Sequence, residues 1–532
     1  MNMATSPTSV RNPQAAALFV SHLVLSNPEL AEQQLAELLD GLIANPPEAG
    51  TLFAILEEIR TPLNFVEDER ARTYHNKPLV LSDEQEECLQ KVLAVWQRMS
   101  KAYGLCLHVK NPSGDDTEYA TRIATILHRC LYYTGMLLLE YFRARREVTP
   151  GIWHDLHGYY ETAEQWGVSH TAVSDPLESK LQATHCAAAY VTTLLIDMAN
   201  PYGHSVRDLN LIRHWAGMWA HLVSLHPLED ENELPPYVVQ LTSDRPIHPS
   251  STNDNIGPET RRLDTSRLGL QISHMLAQLS QRLTPAQLGL GGETSGHVTK
   301  LLEQLSRPWT QTAAQRKFRR FDSQGTARVT VGFDAMHSFI SGNDFVQPDS
   351  ATTYSRSQFD QLYTYRERAI TGQQLNINAR RAFPIDDWAV INHSANGFRL
   401  ARSEAGLKIT YSELLAICPH DGDHFLLGQV SWLMQETGDG LVAGISLLPG
   451  IPEAIGVRHA PSAPGVENRY VRAFLLPAIP AIGLEASIVI PVETYKASGV
   501  LDVVDQGTTW QLRMLHVRQR GVDFDRVSFE KL

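Results

Sequence analysis

The sequence contains little cysteine, and the cysteines it has are not arranged as a structural framework. Five occur in 532 residues, at Cys88, Cys106, Cys130, Cys186 and Cys418. None forms a CxxC pair, the spacing that many zinc sites and redox motifs share. Scattered cysteines of this kind are typical of reduced, mostly buried thiols in a cytoplasmic protein. We therefore expect neither a disulfide-stapled fold nor a zinc ribbon.

Long hydrophobic runs are also lacking. The longest apolar stretch extends from Cys130 to Leu139 and is followed by Glu140, whereas a helix needs about 20 apolar residues to cross a bilayer. The beginning of the sequence has no basic segment followed by an apolar core, which is the pattern of a secretory signal. These absences predict a cytoplasmic protein without a membrane span.

The chain has no surplus of positive charge. It carries 46 Lys and Arg against 59 Asp and Glu, for a net charge of −13. A surface with this balance repels polyanions, so we do not expect binding to nucleic-acid polymers or to anionic membranes. A local basic pocket for a small anion stays compatible with the composition.

The first part of the chain has the periodicity of helices. Asn27-Pro28 and the pair Ser82 and Gln85 are typical of helix starts, and apolar residues follow each at helical spacing. The segment 157–167 is rich in aromatic residues and resembles a tetratricopeptide-like helical unit. We predict a helical bundle or solenoid over residues 1–308, acting as a regulatory or interaction domain. Within it, residues 226–262 interrupt the helices with one strand-like piece, Tyr237 to Leu241.

After about residue 310 the periodicity changes from helical to alternating, which predicts strands. Alternating segments begin at Thr326, Gly428, Leu441, Ser487 and Thr509. We divide this part into residues 309–450 and a β-rich C-terminal extension, residues 451–532. The pattern leaves open whether the extension enlarges the first β domain or forms a second β unit.

Two short motifs suit a small anionic ligand. The first is the basic run Arg316-Lys317-Phe318-Arg319-Arg320, and the second is Asn392-His393-Ser394-Ala395-Asn396-Gly397. Guanidinium groups fork onto phosphate oxygens and stack on purine rings, and Asn and Ser add directional hydrogen bonds. Glycine permits a tight turn or a close approach of the backbone to a ligand.

Together these motifs are similar to the ligand signature of the PilZ family, RxxxR followed by (D/N)xSxxG. The resemblance implies a PilZ-like antiparallel β-barrel and a non-enzymatic receptor for cyclic di-GMP, with no cofactor and no bound metal. The ligand residues it implies are Arg316, Arg319, Arg320, Asn392, Ser394 and Gly397. The expected fold is multidomain α + β, with the helical region followed by the barrel and the β-rich tail.

The spacing between the two motifs departs from the family pattern. Residues 335–385 form an insertion between the first barrel strand and the strand before Asn392, and Ser357 to Ile370 within it has a helical pattern. Arg380 and Arg381 lie near the end of this insertion and are a competing source of positive charge.

Other polar clusters have simpler interpretations. The segment 420–424, His-Asp-Gly-Asp-His, contains residue types that bind metals, but Asp-Gly is typical of a hairpin turn. His154, Asp155 and His157 fit a helix face better than a metal site. The glycine-rich segment 289–297 lacks the Gly-Lys-Ser/Thr of a phosphate-binding loop and is interpreted as a loop between helices.

Three functional hypotheses follow. In the first, the chain is a receptor that couples cyclic di-GMP binding on the barrel to an unidentified protein partner of the helical domain, in motility or biofilm signalling as the family resemblance implies. In the second, it is a scaffolding protein whose barrel has lost the ligand. In the third, it is a metal-dependent enzyme that uses a His/Asp cluster.

Overall fold

The computed structural model describes Pro7 and residues 10–108, 116–178, 183–228, 235–251, 256–311, 320–323, 325–348, 383–404, 406–438, 440–460, 469–505 and 507–532. The chain divides into two compact units, one from residues 1–77 and 81–316 and the other from residues 78–80 and 317–532. The first unit is mainly helical and the second is mainly β, which confirms the predicted multidomain α + β class.

The first unit is built from α-helices and a small sheet. Its helices are α1 (Pro13–Ser21), α2 (Pro28–Ala44), α3 (Ala49–Ala71), α4 (Asp83–Leu105), α5 (Asp116–Arg143), α6 (Ile152–Gln165), α7 (Cys186–Met198), α8 (Val206–Trp219), α9 (Ser266–Ser280) and α10 (Ser295–Trp309). Helix α5 is buried along most of its length and packs against α4, α6 and α7. A helix with apolar residues on nearly every face belongs inside a bundle.

The helix starts form where the sequence predicts them. Asn27 caps α2 by accepting a hydrogen bond from the Leu30 amide at 3.3 Å, and Pro28 occupies the first helical turn. Ser82 and Gln85 form a reciprocal capping box at the start of α4. Each cap satisfies amides that have no partner within the helix. Residues 289–294 of the glycine-rich segment belong to the connection between α9 and α10, and residues 295–297 form the first turn of α10, whose cap is Thr294.

The sheet of the first unit is larger than the sequence predicts. It has the strand order β1–β4–β2–β3, and its strands are β1 (Ser224–Pro227), β2 (Tyr237–Gln240), β3 (His248–Pro249) and β4 (Thr260–Asp264). Only β2 was predicted. The others are short and contain proline or charged residues, so they lack a local alternating pattern.

His157 is a buried core residue of α6. Its Nδ1 lies 2.7 Å from the Tyr190 hydroxyl, and its Nε2 lies 2.8 Å from the carbonyl oxygen of Arg245. A neutral imidazole satisfies both contacts, with Nε2–H donating to the carbonyl and Nδ1 accepting from the hydroxyl. Burial lowers the pKa of His157 from 6.5 to about 4. This geometry supports the structural interpretation of the histidine.

The stability of the helical unit should therefore depend on pH through His157. Between pH 6.5 and about pH 4 the unfolded chain binds a proton at His157, whereas the folded chain keeps this imidazole neutral. The free energy of unfolding therefore falls as the pH falls through this window, by at most about 1.4 kcal/mol per pH unit. Urea unfolding followed by circular dichroism should give a shallower pH slope for His157→Asn. The exposed His274 supplies the control, His274→Asn, which should keep the wild-type slope. Equal slopes in all three proteins would refute the assignment.

The second unit contains β-strands, one α-helix among its described residues, α11 (Phe333–Ser341), and two single-turn 3-10 helices. Its strands are β5 (Phe321–Asp322), β6 (Thr326–Val331), β7 (Asp386–Ser394), β8 (Gly397–Arg402), β9 (Leu414–Pro419), β10 (Leu426–Gln435), β11 (Leu441–Leu447), β12 (Glu453–His459), β13 (Val471–Leu476), β14 (Ser487–Pro491), β15 (Val500–Asp505), β16 (Thr508–Arg520) and β17 (Phe524–Lys531).

Strands β6 to β11 form an antiparallel barrel. They pair in the order β7–β6–β9–β10–β11–β8, and β8 pairs with β7 to close the barrel. Strand β5 is added to β7 outside this closed circuit. The predicted strands at residues 326, 428 and 441 are confirmed as β6, β10 and β11. Helix α11 lies at the start of the predicted insertion, and the predicted helix at residues 357–370 falls outside the described residues.

The C-terminal extension forms a closed barrel of its own. Its strands pair in the order β12–β13–β14–β17–β16–β15, and β15 pairs back to β12. The inner side chains form an apolar cluster that includes Ile455, Ile488, Leu501, Val503 and Leu512. The structure thus decides between the alternatives that the sequence leaves open, since the tail does not enlarge the first barrel.

The two barrels share a hydrophobic core. Met336 of α11, Leu414 and Leu427 of the first barrel, and Phe474 and Phe524 of the second belong to one cluster of buried side chains. Because these residues come from both barrels and from the helix between them, the barrels bury apolar surface in common. We expect them to behave as one cooperative body.

The structure also describes the cysteines and the long helices. All five cysteines are buried and free. No helix among the described residues combines the length and apolar character needed to cross a membrane.

Candidate functional site

The NxSxxG motif forms the hairpin between β7 and β8. Ser394 pairs with Gly397 across the turn made by Ala395 and Asn396. The Ser394 hydroxyl accepts a hydrogen bond from the Asn396 amide at 3.4 Å and donates to the Gly397 carbonyl oxygen at 3.5 Å. Asn392 is half-buried on β7 just before the turn. The turn thus holds the amide of Asn392 and the hydroxyl of Ser394 near one end of the barrel wall.

The packing of the barrel strands requires a glycine at position 397. A Cβ at this position would overlap the carbonyl oxygen of Ile445 on β11. The close approach that glycine permits here is therefore between two strands of the barrel. A larger residue would disturb the pairing of β8 with β11 on which the hairpin depends.

Strand β5 brings the end of the basic run to this hairpin. Phe321 pairs with His393, and Asp322 pairs with Asn392, in antiparallel register. Continued by one residue, the same register sets Arg320 opposite Ser394. Arg320 is exposed. Pairing of β5 with β7 therefore spans the long sequence separation between the two motifs.

Arg316 and Arg319 lie outside the described residues, as do the competing Arg380 and Arg381. Of the predicted set, the structure brings together Arg320, Asn392, Ser394 and Gly397.

Arg399 and Trp432 extend the same face of the barrel and were not predicted. Asn392 pairs with Arg399, Arg399 with Gly444, and Gly444 with Trp432, so these residues form one row across four strands. Directly paired residues point to the same side of a sheet. The indole of Trp432 lies across Gly444, where a Cβ would collide with it. The row continues the candidate surface from Asn392 along the barrel wall.

The Arg399 side chain stacks beside this indole. Its guanidinium carbon lies 5.8 Å from the centroid of the Trp432 ring, within the range of a cation–π interaction. Its Nε is buried and has no hydrogen-bond partner in the structure as described. Arg399 stands two positions after the motif glycine, but only the strand register reveals that Trp432 is its neighbour.

An aromatic group borders the hairpin. The rings of Phe321 and His393 lie 5.8 Å apart, and those of His393 and Phe398 lie 6.3 Å apart. Phe321 is 51% exposed. Since successive residues of a strand point to opposite sides of a sheet, these rings lie on the side opposite to Asn392, Ser394 and Arg399. The face that carries Asn392 combines guanidinium, amide and hydroxyl groups with the Trp432 indole, a combination suited to phosphate and purine groups.

The segment 420–424 forms the turn between β9 and β10, as predicted. The Gly422 amide donates to the Pro419 carbonyl oxygen at 2.9 Å, and the His420 amide donates to the Thr326 carbonyl oxygen at 2.9 Å. Across the described part of the chain, no group of three His, Cys, Asp or Glu side chains has the geometry of a metal site.

Comparison with known proteins supports the order of a helical region, a PilZ domain and a C-terminal barrel. Residues 14–230 match the family model "Cyclic-di-GMP receptor FimW, N-terminal domain", residues 237–369 match "Cyclic-di-GMP receptor FimW, middle PilZ domain", and residues 455–532 match "FimW C-terminal beta-barrel domain". The segment matched to the PilZ model begins at β2 of the helical unit and ends before β7, so it covers β5 and β6 of the first barrel but not the Asn392–Gly397 hairpin. A curated relative, the "Cyclic-di-GMP receptor FimW" of Pseudomonas aeruginosa strain PAO1, is 23% identical over 522 residues, which cover 90% of this chain and 84% of that protein. The matched family is one of receptors and not of enzymes, in agreement with the predicted class. The chain therefore belongs to the FimW family of PilZ-domain proteins.

Proposed function

We propose that this chain is a cytoplasmic, non-enzymatic receptor for cyclic di-GMP. The nucleotide binds on the outer wall of the β6–β11 barrel, to Arg316, Arg319, Arg320, Asn392, Ser394 and Gly397. The helical domain, residues 1–308, passes the signal to a protein partner. Residues 309–450 form the ligand-binding domain, and residues 451–532 support it as a second β-barrel. The names of the matched family and of the curated relative support this choice of ligand.

The observation that carries the proposal is the pairing of β5 with β7. This pairing joins Phe321 and Asp322 to His393 and Asn392, directly after Arg320 in the sequence. A phosphate held near Ser394 would then lie within reach of a long, exposed guanidinium. Arginine forms charge-assisted, bidentate bonds with phosphate, so the basic run supplies most of the electrostatic attraction in an otherwise acidic chain.

The row from Asn392 to Trp432 supports a site for the bases of the nucleotide. The Arg399 guanidinium and the Trp432 indole offer planar faces, and guanidinium and aromatic groups stack on purines. Asn392 is the first residue of this row and carries both donor and acceptor atoms for a base edge.

The direct test is calorimetric titration of the purified full-length chain with cyclic di-GMP. Saturable binding, with one site per chain or a nucleotide dimer per site, supports the receptor. Absence of heat and of any change in melting temperature would reject it and favour a scaffold with a ligand-free barrel.

Ser394→Ala should weaken binding modestly. The substitution removes one neutral hydrogen bond, which is worth about 1 kcal/mol, or roughly fivefold in affinity. Titration of the variant with cyclic di-GMP measures this loss. Ser273→Ala is the control, because Ser273 is exposed on α9 of the helical unit and should keep wild-type affinity. If Ser394→Ala binds cyclic di-GMP as tightly as the control does, the Ser394 hydroxyl is not part of the nucleotide site.

A further inference from the structure

A polar cavity lies within the helical unit. It has a volume of about 480 Å³ and is lined by Asp68, Arg72, His75, Asn76, Arg143, Asn210 and Arg213. Small-molecule sites in proteins typically measure about 300–1,000 Å³. The lining comes from the end of α3 and the loop after it, from the last residue of α5, and from the outer face of α8. Nothing in the proposed nucleotide site on the barrel uses these residues.

The wall of this cavity is rich in hydrogen-bond donors. Arg72, Arg143 and Arg213 contribute guanidinium groups, and Asn76 and Asn210 contribute amides. Asp68 supplies the carboxylate of the lining, and Arg72 also pairs with Glu69 at 2.7 Å. A donor-rich wall favours a ligand that brings acceptor oxygens, and arginine is the side chain that best matches phosphate.

Arg143 is held in place with an unused donor. The residue is only 7% exposed. One terminal nitrogen donates to Glu140 Oε2 at 3.2 Å and the other donates to Asn210. Its Nε is buried and has no partner among the described residues. Since Nε is buried, Arg143 meets a ligand through its charge and its terminal nitrogens, which Glu140 and Asn210 hold in a fixed orientation.

The buried acid beneath the cavity is already satisfied by the protein. Glu140 accepts hydrogen bonds from Tyr74 at 2.9 Å and pairs with His75 at 2.6 Å, besides Arg143. Although burial opposes ionisation, His75 and Arg143 hold the pKa of Glu140 down at about 2. Glu140 therefore orients Arg143 and His75 in the wall and needs no further partner from a ligand.

Arg213 and Asp68 contribute opposite charges to the cavity lining. The Arg213 guanidinium donates to the Tyr132 hydroxyl at 3.3 Å and lies 5.9 Å from the centre of that ring, which fixes its orientation. The exposed Asp68 carboxylate repels a bare anion but accepts a hydrogen bond from a hydroxyl group. We propose that this cavity binds a small phosphate ester that also carries hydroxyl groups, of the size and chemistry of a sugar phosphate.

The test is calorimetric titration of the full-length chain with ribose 5-phosphate, inorganic phosphate and citrate. Ribose 5-phosphate should bind most tightly. Arg213→Gln and Arg72→Gln should each weaken its binding by about tenfold or more. Asp68→Asn should weaken ribose 5-phosphate without weakening inorganic phosphate. The control is Arg122→Gln. Arg122 is partly exposed on α5, pairs with Glu118 at 3.0 Å, and does not line the cavity.

Each outcome decides the proposal. It is overturned if ribose 5-phosphate does not bind, if all three lining variants bind it as the control does, or if citrate binds at least as tightly. Circular dichroism of Arg72→Gln and Asp68→Asn, both at exposed positions, verifies that the helical unit is intact. Titration of the same variants with cyclic di-GMP distinguishes the cavity from the proposed nucleotide site on the barrel. The cavity substitutions should leave the affinity for cyclic di-GMP unchanged, whether or not the barrel binds this nucleotide.

Discussion

Replacing Arg320 by alanine is expected to weaken the binding of cyclic di-GMP by about 30-fold or more. The substitution removes a charge-assisted bond to phosphate or guanine, and losses of this kind cost about 2–5 kcal/mol when the partner charge is left without its counterpart. Arg316→Ala should have an effect of the same order, because both arginines match the RxxxR element. Calorimetric titration of each variant gives the change in Kd directly.

The control for this experiment is an arginine of the second barrel. Arg513 lies on β16, is half exposed, and pairs with Glu530 at 3.5 Å. Arg513→Ala removes the same charge from the chain but should keep wild-type affinity. Raising the salt concentration should weaken binding to the wild type more than to Arg320→Ala, because exposed ion pairs are screened. If cyclic di-GMP binds tightly and neither Arg316→Ala nor Arg320→Ala weakens its binding, the arginines that bind the nucleotide are instead Arg380 and Arg381.

The helices and the change to β structure were predictable because their signals are local. A capping residue followed by apolar residues at helical spacing identifies α2 and α4 within a short window. The same holds for the alternating segments of β6, β10 and β11. Closure of the barrels was not predictable, since pairing β8 with β7, or β15 with β12, depends on contacts between segments whose sequences carry no mark of their partner.

The candidate site shows the same division between local and distant signals. Asn392, Ser394 and Gly397 form one hairpin, so a motif within a few residues suffices to find them. Arg399 and Trp432 become neighbours only through the register of β8, β11 and β10. The sequence separates the arginines widely from the hairpin. The short strand β5 brings Arg320 next to it, although the exposed side chains of β5 give no alternating pattern.

The core shared by the two barrels predicts that damage to one will loosen both. Phe524 of β17 is fully buried and belongs to the cluster that also contains Leu414 and Leu427 of the first barrel. Phe524→Ala leaves a cavity at this junction and should lower the free energy of unfolding by about 3–5 kcal/mol. Urea unfolding of the full-length chain measures the loss.

Amide hydrogen exchange, read by mass spectrometry, locates where that stability is lost. In Phe524→Ala, peptides of β9 and β10 should exchange faster along with those of the second barrel, because both barrels bury side chains against the removed ring. Phe529→Ala is the matched control. Phe529 lies on the same strand but is half-buried in the second barrel's own cluster, so its removal should leave β9 and β10 protected. If Phe524→Ala accelerates exchange in the second barrel alone, the barrels open independently, and the C-terminal barrel is an appended domain and not a support for the ligand-binding wall.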